Sequence, residues 1–300
     1  MPSFACFILR GILRLRKPFV RWDAPVEYFR AMMDRSARIF VPPLDVAVAP
    51  ASADGVACEW LTPVGASADS VLLYLHGGAW TLGWTNVHRR LVAMIAKAAG
   101  IRALAVDYRL APEHPFPAGL DDCVAAYRWL VKNGTPSSHI VIAGDSAGGN
   151  LTAATLLTLR DAGEPLPAAA VLIGAVTNLE GTEPSYHAVN DLVLTVTFAE
   201  SMKRHYAGDR DLRAPLLSPY HGDLRGLPPL LIQAGEEEIL RSDSEHFAQK
   251  ARAAGVDVRF SIWPKMWHVW HFFSRSLPEA QWAIDEIGGF IRERVGRRHP

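Results

Sequence analysis

Residues 141–150 read Val-Ile-Ala-Gly-Asp-Ser-Ala-Gly-Gly-Asn, a single hydroxyl set among glycines between two apolar runs. Within this stretch, Gly144-Asp145-Ser146-Ala147-Gly148 fits the pattern G-x-S-x-G, in which glycines two positions either side of the serine permit a tight strand-to-helix turn. Such a turn lifts the Ser146 hydroxyl above the sheet edge. It also leaves the Ala147 amide at a helix start, where free N–H donors favour developing negative charge. A second stretch, His76-Gly77-Gly78-Ala79-Trp80, follows another apolar run. The Gly77 and Gly78 amides, unobstructed by side chains, are free to point at the oxygen that Ala147 serves. The chemistry implied is acyl transfer, with the serine oxygen attacking a carbonyl and peptide donors holding the resulting oxyanion.

Positioning these groups falls to alternating strand and helix patterns. Short apolar runs at 71–75, 101–106, 139–143, 168–175, 229–234 and 256–263 predict strands. Helical patterns separate them at 87–99, 120–132, 148–159 and 242–254, and another follows at 278–292. Continuous apolar strands divided by helices imply a mostly parallel sheet buried on both faces, an α/β architecture. Two further strands, 44–49 and 56–62, precede it across a turn at Asp54 and Gly55. The N-terminus reads as two helices. In the first, Phe4, Phe7, Ile8, Ile12 and Leu15 share a face opposite Arg10, Arg14 and Lys17, and the apolar face is expected to pack on the protein itself. The second carries Val26, Phe29, Met33 and Ala37 at helical spacing, with Asp23 expected as its cap and Pro25 in its first turn. Residues 179–220 break the alternation as a long mixed segment.

Four stretches carry a family resemblance: "LYLHGGAW", "DYRLAPEHPFPA", "GDSAGGN" and "HVWH". With them the chain resembles the bacterial hormone-sensitive-lipase-like branch of α/β-hydrolase serine esterases, from about Leu72 to the end. The resemblance implies an α/β-hydrolase fold with an N-terminal helical cap and a metal-free, cofactor-free esterase. Residues 1–42 are then the cap segment and 43–300 the catalytic domain, with a contribution to the cap from about 179–220.

A serine hydroxyl is a weak nucleophile unless a histidine takes its proton and a carboxylate orients that histidine. In α/β-hydrolases the chain order is serine, acid, histidine. Of eleven histidines, this leaves His268 and His271 in "WPKMWHVWH", beyond the strand ending near Trp263. His268 occupies the family's catalytic position, and His76 belongs to the oxyanion loop. The stretch "QAGEEEILRSDSEHF" offers Glu236, Glu237, Glu238, Asp243 and Glu245 as acids. The resemblance places Glu238 where the family commonly has aspartate, with Asp243 as the alternative. Two other departures are Ala79, in place of a third glycine after the histidine, and "IGAVTNLEG", which lacks the usual Ser-Pro-Trp. Trp80 and Asp145, beside the oxyanion loop and the serine, are expected to bind substrate. Asp107, Tyr108, Arg109 and Glu113, in the proline-studded "DYRLAPEHPFP", are expected to brace the oxyanion loop.

The chain has 300 residues, of which 31 are Lys or Arg and 31 Asp or Glu, so no net field draws it to nucleic acid. Zinc, Walker and dinucleotide motifs are missing from the sequence, so no metal or cofactor is expected. Three scattered cysteines, Cys6, Cys58 and Cys123, and no uninterrupted apolar span suggest a cytoplasmic protein. The expected partner is a small-molecule ester with a short to medium acyl chain. Amides and lactones are alternatives. A non-catalytic hydrolase-fold receptor is disfavoured because His268 is present. Pairing of two copies along the final strand and helix is a further expectation.

Overall fold

Runs of buried Val, Ile, Leu and Ala, too short for helices, supply the central strands in a computed structural model that describes residues 2–295. The strands are β1 (Val46–Ala53), β2 (Val56–Pro63), β3 (Ser67–Leu75), β4 (Ile101–Val106), β5 (Ile140–Asp145), β6 (Ala169–Ile173), β7 (Leu230–Gly235) and β8 (Val258–Trp263). Together they form one sheet in the order β1-β2-β4-β3-β5-β6-β7-β8. The β1–β2 and β2–β4 pairs are antiparallel and every later pair is parallel. The mostly parallel sheet and its crossover helices are those of the predicted α/β architecture. The predicted end of the catalytic domain at 300 lies outside the described residues.

The central strands β5 and β6, and β3 from Ser70 onward, are buried throughout, because helices cover both faces. On one side lie α4 (Ala118–Lys132), α5 (Ala147–Asp161) and α8 (Arg241–Ala253), with Leu73, Ile142 and Leu172 facing them from the sheet. The opposite core combines α3 (Asn86–Ala99) and α9 (Pro278–Arg294) with Leu72, Tyr74, Val141 and Val171. The parallel strands all end at one edge, and the loops leaving β3, β5, β6 and β7 meet there.

Over that edge sit α1 (Phe4–Arg16), α2 (Val26–Ala37), the short α6 (Pro184–Ala188) and α7 (Val196–Ala207). Phe29 of α2 packs edge-on against Phe198 of α7, with ring centroids 4.7 Å apart, so the N-terminal segment and the 179–220 insertion share an apolar cluster.

Two N-terminal expectations are overturned. Pro25 itself is the residue capping α2, and no side chain caps that helix, so Asp23 does not. The α1 helix is also turned over: it buries Cys6, Arg10 and Leu13, while Phe4, Phe7, Ile8, Ile12 and Leu15 are exposed. The physical reason is Arg10, which ion-pairs with Glu237 at 2.6 Å and donates to the Lys265 carbonyl, so a charge rather than the apolar stripe faces inward.

The α3–α9 contact depends on a missing side chain. A Cβ on Gly288 would lie 2.6 Å from the Ala98 carbonyl carbon, whereas one on Gly289 would meet nothing closer than the tip of Arg292 at 3.9 Å. Gly288→Ala is therefore expected to lower stability by about 1–3 kcal/mol through overpacking. Gly289→Ala is expected to be neutral or stabilising by up to about 1 kcal/mol through helix propensity. Urea denaturation of the pair checks both signs.

Candidate active site

The turn between β5 and α5 holds Ser146 at φ 54°, ψ −119°, a backbone conformation that costs a non-glycine residue on the order of 1–3 kcal/mol. Neighbouring glycines make it possible. A Cβ on Gly144 would lie 2.2 Å from the Gly148 carbonyl oxygen, and one on Gly148 would lie 1.9 Å from that of Leu75. The Ser146 amide donates to the Ile173 carbonyl at 2.8 Å, fastening the turn to β6.

Two other loops bring their side chains to this hydroxyl. His268, on the loop after β8, has Nε2 2.9 Å from Ser146 Oγ and Nδ1 2.9 Å from Glu238 Oε2. A carboxylate can only accept, so Nδ1 carries the proton and Nε2 is left to accept from the serine hydroxyl. Glu238, on the loop between β7 and α8, is fully buried, and its other oxygen accepts the Gly235 amide at 3.1 Å. The chain passes this pair at Gly174, whose φ is +50° and where a Cβ would sit 2.9 Å from Glu238 Oε2 and 3.1 Å from His268 Nδ1. The alternative acid, Asp243, is turned elsewhere: its Oδ1 accepts the Thr177 hydroxyl and the Thr177 and Asn178 amides. His271 faces Gln233 at 2.8 Å.

Charge separates the histidines. Burial alone would lower the pKa of His268, but the Glu238 hydrogen bond and charge, with Asp191 and Asp145 beyond, outweigh it and raise the pKa above the ordinary 6.5. Burial without a carboxylate partner pushes His76 down to about 4 and His271 down to about 3, so both are neutral near pH 7. Asp191 is a site residue that sequence reading missed. Burial pushes its pKa up to about 6, against the lowering effect of His268. Its Oδ2 accepts the amide of Ile239, next to Glu238, at 3.2 Å, and its Oδ1 accepts the Val193 amide at 3.0 Å. Asp191 thereby ties the acid loop to the insertion. The signal in the sequence was slight, a lone acid opening the apolar run "DLVL".

The oxyanion loop differs from expectation at Gly77. Its amide donates to Asp145 Oδ1 at 3.0 Å and is thus already committed, while Tyr74 donates its hydroxyl to the same oxygen at 2.8 Å. Among the described residues the amides of Gly78, Ala79 and Ala147 have no partner. Glycine is still required at 77, because a Cβ there would lie 2.1 Å from Asp145 Oδ2. Ala79 and Trp80 both have positive φ, 52° and 60°, so alanine occupies a left-handed position that glycine would adopt at about 1 kcal/mol less. From the proline-studded loop Tyr108 braces the oxyanion loop, donating to the His76 carbonyl at 2.8 Å and stacking on its ring, whereas Arg109 pairs with Asp122 of α4 and Glu113 reaches the loop only through Arg30, which donates to the Thr81 carbonyl. Asp107 is exposed, with Arg89 among the charges near it.

Ser146 borders two cavities. The larger, about 260 Å³, lies between the sheet edge and α1–α2, lined by Leu13, Phe29, Met33, Leu194, Phe198 and Phe273 among others, with Asp145 and His268 at its floor. The smaller, about 40 Å³, is bounded by Trp80, Leu179, Tyr186 and Leu240. Trp80 is buried and stacked flat on Tyr206, with ring centroids 4.4 Å apart. No group of three or more His, Cys, Asp or Glu among the described residues is arranged to hold a metal ion.

A strand-elbow serine beside a hydrogen-bonded histidine and carboxylate is the arrangement of an α/β hydrolase, and residues 72–272 match the family model described as the alpha/beta hydrolase fold. The chain is 44% identical over 280 residues to an acetyl-hydrolase of Streptomyces hygroscopicus, covering 91% of this chain and 92% of that protein. It is 35% identical over 265 residues to an esterase of Acinetobacter venetianus, covering 87% of each. It superposes on the crystal structure of an esterase from the bacterial hormone-sensitive lipase family with a TM-score of 0.94 at 40% identity, covering 99% of this chain and 100% of that one. The chain belongs to the α/β-hydrolase family, in its bacterial hormone-sensitive-lipase branch.

The environment of His268 makes a measurable statement. NMR titration is expected to place its pKa above 6.5, and Asp191→Asn, which removes one of the negative charges raising it, is expected to move it downward. An unchanged value in the variant would mean that Asp191 exerts no field at the imidazole.

Proposed function

We propose that the protein is a serine carboxylesterase acting through an acyl-enzyme intermediate. What carries this reading is the unbroken line from Glu238 through His268 to Ser146 Oγ, with both links at 2.9 Å, beside unpartnered amides. Ser146 Oγ attacks the ester carbonyl carbon while His268 Nε2 takes its proton. Glu238 holds the imidazole in the tautomer that can accept and stabilises the imidazolium formed. The carbonyl oxygen becomes an oxyanion held by the Gly78 and Ala147 amides, with Ala79 as a third available donor, each worth about 3 kcal/mol in the transition state. Collapse expels the alcohol, which leaves with the proton from His268. Water then repeats the sequence on the acyl-enzyme and frees the acid and Ser146.

Within this reading the small cavity receives the acyl group and the larger one the departing alcohol, since the product that leaves first needs the wider space. At about 10–15 Å³ per water-sized group, 40 Å³ accommodates about three such groups beyond the carbonyl. Acetyl to butyryl esters are the proposed substrates. Similarity to an acetyl-hydrolase points the same way. Three buried, unbridged thiols support a cytoplasmic location, and the outer edge of β8 is the proposed place for any pairing of copies.

A chromogenic ester series from acetyl to octanoyl tests the proposal. Ser146→Ala is expected to lower turnover by at least about 10⁴-fold, and undiminished turnover would reject the mechanism. Rates are expected to fall once the acyl chain exceeds about four carbons. Leu179→Ala, at the wall of the small cavity, is expected to shift the optimum to longer chains. Because the neutral imidazole is the base, kcat/KM should decline as pH falls through the raised pKa of His268. A parallel acetyl ester and acetamide separate ester from amide preference.

A further inference from the structure

The face of α1 that sequence reading assigned to the interior lies on the outside, and its arrangement says what it meets. At about 100° per residue, Phe7, Phe4, Leu15, Ile8 and Ile12 fall in one arc of about 140°. Phe4 is 80% exposed, Leu15 75% and Phe7 61%. The next turn adds Phe19, at 84%. Arg14 lies at one edge of this arc and Arg16 at the other, both exposed. Beside Phe40, which lines the larger cavity, Ile39 and Val41 are exposed as well.

Charge is distributed to match. Residues 1–42 hold eight Lys and Arg against three Asp and Glu, although the chain as a whole is balanced at 31 of each. Three of the eight are engaged in the fold: Arg10 with Glu237, Arg30 with Glu113, and Lys17 with Asn190 and the Asp191 carbonyl. Arg14, Arg16, Arg21, Arg35 and Arg38 make no ion pair among the described residues. Helix α1 contains no acid.

We propose that this face of α1 docks the protein on an anionic lipid bilayer, with Phe4, Phe7, Ile8, Ile12, Leu15 and Phe19 entering the headgroup region while the arginines at its edges meet lipid phosphates. An apolar arc with cationic side chains on both margins is suited to the boundary between acyl chains and anionic headgroups, where the long arginine stems keep their charges in the polar layer. A second copy fits poorly, because two-fold pairing of α1 on α1 would set arginine-edged, acid-free helices against each other. On the reverse of the same helix Leu13 lines the larger cavity, so docking brings the bilayer alongside the proposed substrate space. The docking claim itself does not depend on the esterase reading.

Flotation of the full chain with vesicles tests it, read as protein bound and not as hydrolysis. Recovery with equimolar phosphatidylglycerol and phosphatidylcholine is expected, falling by about tenfold or more with phosphatidylcholine alone or at raised salt. Phe4→Ser/Phe7→Ser/Leu15→Ser and, separately, Arg14→Gln/Arg16→Gln are each expected to abolish recovery, with far-UV circular dichroism and thermal midpoint kept as evidence of folding. Absence of flotation by the parent chain, or equal flotation by the serine variant, overturns the proposal. So does light scattering that shows a dimer which the serine variant dissociates, since the face would then be a subunit interface.

Discussion

A carboxylate withdrawn entirely from water costs several kcal/mol unless its oxygens are given partners, and Glu238 is such a group. One oxygen takes the Gly235 amide and the other the His268 imidazole. The rest of the sheet edge is arranged around these two bonds. The β7 loop must turn inward to present Glu238, the β8 loop must return His268 to it, and the chain leaving β6 must pass without a side chain at Gly174. Asp191 adds a second buried carboxylate on the far side of the same loop, held by backbone amides and not by a cation.

The glycines divide into two kinds. Gly144 and Gly148 let two peptide segments cross at distances no Cβ allows, and this crossing aims Ser146. Gly77 makes room for the Asp145 carboxylate and gives it an amide, so the residue beside the serine anchors the loop that faces the serine. The two segments that border the cavity are thereby rigidly referred to one another before any ligand arrives. Preorganisation of this kind is what makes peptide donors effective against a developing charge.

The fold was legible because its grammar is local: apolar runs such as Ile101–Val106 and Ile140–Ala143 have a length and composition that only a doubly covered strand explains. Ser146 and His268 were legible because their surroundings in sequence are specific. Among the acids, sequence proximity gave no ranking of Glu238 over Asp243. Both follow β7 and both are buried; the family resemblance favoured Glu238, and the direction of the side chains in three dimensions separates the two physically. The engagement of Gly77 was hidden because it depends on where a side chain 68 residues away points. The orientation of α1 was misread for a different reason. Periodicity reports which residues share a face, and a single long-range ion pair, Arg10 with Glu237, decides which face turns inward.

That ion pair has a mechanical corollary. Glu237 adjoins Glu238, and Arg10 also grips the carbonyl of Lys265, three residues before His268. One guanidinium near the beginning of the chain therefore clasps both of the strand-end loops that supply the carboxylate and the imidazole. A tilt or partial unwinding of the first helix is transmitted along a lever only a few bonds long, so the outermost element of the molecule is also among those most directly geared to its innermost polar contacts.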